Sequence, residues 1–209
     1  MIFALCVWKP PFVIRPIPQT SKPSGSASAG APAANAATAF VDPIWDSKIL
    51  PAFLNKAVEA KELLAAIQEN PDQAGEKYGR REATNPYNYL IKGAGQVTAV
   101  NTESRAGTLT VTLTDANLGQ TVTIQIGPVV LGTAVRDATG TVSFNQFTNQ
   151  IDYAGVSKEM NARAIHDALN GKAPATFKGK QIQFVGAFTY DPHSAGVIRI
   201  TPIKLEVQS

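Results

Sequence analysis

Arg136 and Asp137 are adjacent and follow an apolar run from Val129 to Val135. A guanidinium beside a carboxylate at the end of a buried-looking segment has two readings. It is a satisfied structural ion pair, or it is a polar anchor for a ligand. With Asn145 and Asn149, the pair makes a candidate set for contacting carbohydrate or glycan fragments. A second basic pair, Arg80-Arg81, follows Tyr78-Gly79. It either packs a helix onto the body through carbonyl and carboxylate contacts or marks an interaction surface.

Other chemistry fails on spacing. Gly127-x4-Gly132-Thr133 resembles half of a phosphate loop, but the lysine that must follow the second glycine is missing. Gly93-x-Gly95 opens a strand and lacks a third glycine, so it reads as a backbone bend. No Gly-x-Ser-x-Gly elbow is present, and neither His166 nor His193 sits in a triad context. Both read as solvated. Cys6 is the one cysteine, which rules out an internal disulfide and a cysteine zinc site. Asp46, Asp137 and Asp152 lie nearest apolar segments, with no pairing visible for acid–base work. The expectation is a protein without catalytic residues, metal or cofactor.

Charge separates the chain into two parts. The formal net charge is +3, and the first 41 residues contribute Lys9, Arg15 and Lys22 with no acid. Residues 42–209 therefore carry equal numbers of basic and acidic side chains. A neutral body disfavours binding to nucleic acid through a broad basic face.

Residues 1–19 begin with an apolar run to Trp8 and continue extended through Pro-punctuated sequence. They read either as a disordered start or as the remnant of an export signal or membrane anchor, with the true start upstream. No run reaches ~18 apolar residues, so a complete spanning helix is not expected. Cys6 is a candidate for lipidation, although Leu5 stands where a small residue is usual. Residues 20–41 are rich in Ala, Ser, Gly and Pro and read as a flexible linker.

The body begins at Asp42-Pro43, taken as N-cap and first-turn proline. Residues 42–86 show helical spacing: Trp45, Ile49, Phe53 and Ala57 share a face, and Pro51 kinks or restarts the helix. Glu62–Gln68 is a second helix, and Asn70-Pro71 caps a third that ends at Gly79. After Pro86 the period becomes two. Residues 87–100 form a strand bent at its glycines. Leu109, Val111 and Leu113 alternate with threonines, as do Val122, Ile124 and Ile126. The exposed face of these two strands is threonine, closed by Gln125, without the aromatics that stack single-stranded bases. Ser143 caps a turn, and residues 156–170 form a helix closed by Gly171. Strands at 181–188 and 197–207 follow, the last shifting phase near Thr201-Pro202.

Three strands, a helical insertion and two strands give a mainly β (α+β) fold. The order is that of an OB-like five-stranded small barrel over residues 87–209, with the N-terminal helical region packed on it. An α+β sandwich with the same strand order is the alternative.

Four segments, in order, carry a resemblance. They are Ile44–Pro51, Gly75–Arg81, Ile126–Ala138 and Ser143–Ile151. They are similar to signature segments of a bacterial family of predicted periplasmic lipoproteins of unknown function, often encoded beside sugar ABC transporters. The resemblance covers residues 42 to 207. It implies an exported, membrane-tethered protein with no established catalytic residues. It also implies an accessory role at the inner membrane, exercised by binding transporter subunits or the sugar-binding protein.

Overall fold

The computed structural model describes residues 31–114, 119–192 and 197–208. Residues 1–30, including Cys6, the hairpin tip at 115–118 and His193 lie outside the described residues.

The first described element corrects two expectations. α1 spans Ala31–Ile44, so the stretch expected as linker to residue 41 is helical from 31 onward. Pro43 lies inside this helix and does not start it. Alanine has the best helix propensity, and the helix has somewhere to pack. Ala37 and Val41 are buried, and Phe40 meets Phe147 at 4.9 Å between ring centroids. Beyond Pro43 the winding opens to one π-helical turn, Trp45–Ile49, in which the Leu50 N–H reaches the Trp45 carbonyl. A missing proline N–H and a local side-chain bond are ordinary causes of such a break. Here the Ser47 hydroxyl donates to the Pro43 carbonyl at 2.6 Å. α2, Leu50–Lys56, resumes with Pro51 in its first turn, and Trp45, Ile49 and Phe53 stay buried along one side.

Two-residue strands then stitch the helical region to the barrel. β1 (Val58–Glu59) and β2 (Gly79–Arg80) flank a helical pair, α3 (Ala60–Glu69) and α4 (Pro71–Tyr78). The Asn70 side chain caps α4 by accepting from the Gln73 N–H at 3.1 Å, as Asn-Pro predicts. β1 and β2 both pair with the lower half of β3, Asn88–Asn101.

β3 is the organising strand. With β4 (Thr108–Leu113), β5 (Thr121–Gln125), β6 (Gln181–Thr189) and β7 (Arg199–Val207) it closes a ring in the order β3-β4-β5-β7-β6 and back to β3. β5 and β7 are parallel and share two residue pairs, Thr123 with Arg199 and Ile124 with Ile200. The other ring contacts are antiparallel. This is the expected OB-like barrel. β3 serves both neighbours by bending: residues 88–96 face β6 and residues 95–101 face β4. At Gly95 a Cβ would sit 2.4 Å from the Thr112 carbonyl oxygen, so the strands close up only because none is there. The register shift falls at Val97/Ala99 rather than at the glycines. The shift expected near Pro202 is present, where Val185 and Gly186 face Lys204 and Pro202.

Two cores result. Inside the barrel, Val97, Leu109, Val111, Ile124, Phe184 and Leu205 pack together, and Leu63, Leu64 and Ile67 of α3 close one end. The second core lies on the barrel's outer face. There Leu90, Ala187 and Ile203 meet Trp45, Ile49, Phe53, Val135 and Met160 from the helices. Each large apolar side chain so buried contributes about 1.5–3 kcal/mol.

The insertion between β5 and β6 holds a one-turn helix α5 (Ala134–Asp137), a 3-10 turn (Phe144–Gln146) and the long helix α6 (Gln150–Leu169). The apolar run 129–135 is thus loop and then helix. Ser143 and Gln146 form a capping box around the 3-10 turn. α6 starts six residues earlier than its apolar spacing indicates, because Asn149 caps it by accepting from the Asp152 N–H at 2.9 Å. α6 is tied to α1 by an Arg163–Asp42 ion pair, and Trp45 Nε1 donates to Asp167 at 2.9 Å.

Candidate functional site

Gln125 ends β5 and was expected on the solvated threonine face. It is buried instead. Its Nε2 donates to the Leu131 carbonyl at 3.0 Å and to Thr201 Oγ1 at 2.9 Å, and its Oε1 accepts from the Leu131 N–H at 2.8 Å. The strand-like period ends one residue before it, and its amide supplies the pairing that the loop backbone lacks. The loop 126–133 is thereby pinned to the barrel. From the other side, Asn161 Nδ2 on α6 donates to the Gly132 carbonyl at 2.9 Å.

This loop delivers α5 and its Arg136-Asp137 pair. The Arg136 side chain is 8% exposed. Its Nε donates to Asp137 Oδ1 at 2.7 Å, and its Nη1 donates to the Tyr153 carbonyl at 3.1 Å. The guanidinium carbon lies over the Tyr153 ring, 3.5 Å from its centroid. Such stacking suits arginine better than lysine. Asp137 also accepts from Thr133 Oγ1 at 2.6 Å and from Tyr153 Oη at 3.4 Å. Burial pushes the Tyr153 phenol above its ordinary value; the Arg136 charge opposes that and the Asp137 carboxylate reinforces it. Phe144 and Phe147 brace the Tyr153 ring at 5.5 and 5.4 Å.

Arg80 and Arg81 reach the same place from the other wall. Arg80 ends β2 and Arg81 follows it, and the turn after them is held by Asn88. Asn88 Nδ2 donates to the Arg80 and Pro86 carbonyls, and its Oδ1 accepts from Thr189 Oγ1 at 2.6 Å. Arg81 stacks over Tyr87 at 4.2 Å. The Arg80 guanidinium covers Gly140, occupying the space a Cβ would need, with its Cζ 2.1 Å from that position. Gly140 has φ +67°, a conformation in which a side chain is strained.

The result is a cleft of two lobes that meet at Arg136. The narrow lobe, about 230 Å³, is lined by Arg80, Arg81, Asn88, Arg136, Asp137 and Thr189 among others. The wide lobe, about 690 Å³, adds Val130, Phe144, Gln150, Ser157, Lys158 and Asn161. Glu82, Asn85, Thr133, Arg136 and Tyr153 line both. Of the residues singled out in the sequence, Arg136, Asp137, Arg80 and Arg81 come together. Asn145 and Asn149 line neither lobe. Asn145 is exposed in the 3-10 turn, and Asn149 is committed to its cap, its Nδ2 also donating to Asp152 at 2.9 Å.

Sequence reasoning missed Tyr153, Ser157 and Asn161. Their spacing was the available signal: three polar residues four apart on α6, beside the buried Met160 and Ala164. Among the described residues no cluster of His, Cys, Asp and Glu could hold a metal ion. His166 is exposed at the surface of α6 with its ring 3.1 Å from Asp167. No described helix is long and apolar enough to cross a membrane.

The fold is similar to that of a solved OB-fold protein from Thermotoga maritima, at a TM-score of 0.59 and 19% identity, over 84% of this chain and 96% of that one. That likeness bears on the fold alone. No curated protein matches the chain by sequence. A family model described as "Predicted periplasmic lipoprotein (DUF2291)" matches residues 2–206. With nearly its whole length matched, the chain belongs to this family of predicted periplasmic lipoproteins.

Proposed function

We propose that the protein is a non-enzymatic periplasmic binding module, tethered to the inner membrane, that takes a small polar ligand in the Arg136 cleft. The observation that carries this is the setting of Arg136. A buried guanidinium is fixed by two hydrogen bonds and an aromatic face, at the point where two lobes meet. Rigid, preorganised polar groups in a concavity are what orient a small ligand. Asp137 accepts from three donors, which suits an anchor for Arg136 better than a proton carrier.

The test is a melting-temperature screen of the full chain against neutral sugars, sugar acids, sugar phosphates, amino acids and polyamines. A ligand at a hundred times its Kd adds about 2.7 kcal/mol of stability, readily seen as a raised Tm. No shift with any solute class would overturn the reading.

A second reading is that the protein serves a sugar ABC transporter by protein contact. It rests on the family resemblance and on one observation. Val129, Leu131, Phe144 and Ile151 are exposed apolar residues next to or within the wide lobe's lining. Affinity capture from membranes with the anchor intact is expected to recover transporter subunits or the sugar-binding protein. Repeated recovery of neither would remove this reading.

A further inference from the structure

We propose that the cleft's ligand is a small anionic polyol, a sugar carrying a carboxylate or a phosphate. Its anionic group would sit in the narrow lobe and its hydroxyls in the wide one. The proposal deepens the binding reading above and rests on it.

The anionic end follows from charge. Residues 42–209 are neutral, yet three arginines, Arg80, Arg81 and Arg136, line the narrow lobe against the acids Glu82 and Asp137, while Lys158 lines the wide lobe. Among the described residues only Arg136 of these cations forms an ion pair. Arg136 Nη2 makes no hydrogen bond to a described residue, so its fork keeps a donor beyond Asp137 and Tyr153. Unpaired guanidiniums at a concave site match carboxylate and phosphate oxygens in geometry as well as sign.

The hydroxyl end follows from two orphaned oxygens. Ser157 and Asn161, both more than nine-tenths buried, contribute to the wide lobe's lining, and their Oγ and Oδ1 have no hydrogen-bond partner among the described residues. Leaving buried polar atoms unpaired carries a desolvation cost. A group that pairs with them recovers that cost. The Asn161 amide cannot turn to suit, because its Nδ2 holds the Gly132 carbonyl. The atom left over is an acceptor. It repels an anionic oxygen and wants an O–H. The cleft is therefore directional, with donors at one end and an acceptor beside a hydroxyl at the other. Phe144, which lines the same lobe, offers a ring for the C–H face of a sugar.

Calorimetry on the full chain at low salt, with glucuronate, glucose 6-phosphate, glucose and inorganic phosphate as probes, tests this. Glucuronate or glucose 6-phosphate is expected to bind at least about tenfold tighter than glucose, and to weaken as salt is added. The two charged sugars separate a carboxylate ligand from a phosphate ligand. Arg80→Gln with Arg81→Gln, both exposed positions, is expected to remove most of that preference while the protein keeps a cooperative melting transition, its Tm lowered only by the lost packing on Gly140 and Tyr87. Ser157→Ala is expected to weaken the charged sugar and leave inorganic phosphate unaffected. Glucose binding as tightly as both charged sugars would overturn the anionic end. Inorganic phosphate matching glucose 6-phosphate would overturn the hydroxyl end. If none of the four binds while another solute raises Tm, this inference falls and the binding reading stands. If no solute of any class raises Tm, both fall.

Discussion

At the scale of single residues, Arg136 does two jobs. It is the polar centre of the cleft and the tie between α5 and α6. Removing one partner of a buried pair leaves the other charge uncompensated. Asp137 is about a quarter exposed, so water relieves part of that cost. Arg136→Met is expected to lower stability by about 2–3 kcal/mol, measured by urea unfolding. Asp137→Asn keeps the shape and most donors paired but strips the more deeply buried Arg136 guanidinium of its counter-charge, and is expected to cost at least as much.

At the scale of elements, the loop between β5 and α5 decides whether the cleft exists. Gln125 satisfies both main-chain groups of Leu131 from inside the barrel wall. Gln125→Ala would orphan those groups and Thr201 Oγ1, at a cost of about 2–3 kcal/mol. Hydrogen exchange at the Leu131 amide should accelerate well beyond that of β4 and β6. Unchanged exchange would show that the loop is held from α6 alone. This contact also marks the limit of reading elements from sequence. The alternation in β4 and β5, the Asn70-Pro71 cap and the glycine bend in β3 were legible because their causes are local. α1 was not, because an alanine-rich stretch is linker or helix according to whether a partner face receives it. Here Phe147, just ahead of α6, and Arg163 on α6, through its pair with Asp42, receive it. The site was half legible for the same reason. Arg136-Asp137 announced itself by adjacency, whereas its meeting with Arg80 depends on β2 joining β3. Asn149 looked free to bind, but Asn-x-x-Asp at a helix start is itself a cap signal that uses it.

At the scale of the molecule, β3 serves both cores, Tyr89 and Ile91 in one and Leu90 in the other, and Tyr89 reports on whether the barrel core is closed. It is fully buried, stacked on Phe188 at 5.2 Å, and its hydroxyl has no hydrogen-bond partner among the described residues. Burial, reinforced by Tyr87, Tyr190 and Asp72, pushes its pKa up from 10.0 to about 12. The native state thus favours the neutral phenol, and the unfolded chain ionises it first. Below pH 10 this has no effect on stability. As pH climbs from about 10 to about 12, stability is lost, by an amount on the order of 2 kcal/mol. Tyr89→Phe removes both the unpaired hydroxyl and the titration. It is expected to gain about 1 kcal/mol at neutral pH. It should also keep stability over the alkaline range where the parent protein declines. Denaturation midpoints of the two proteins at pH 8 and pH 11.5 measure the difference.

The β5–β7 seam, with its two residue pairs, bears on the order in which the chain acquires its shape. Thr123 must find Arg199 across an intervening stretch that contains α5, α6 and β6. Contacts so distant in sequence form late, after the hairpin of β4 with β5 and the helix have taken shape. The seam is also short enough to be the ring's weakest join. Arg136 and Asn161 both lie in that intervening stretch, and Gln125 donates to Thr201 just beside the seam. The Gln125 amide reaches across that join to Thr201, so the side chain that pins the cleft's loop also acts as a clasp on the closing ring.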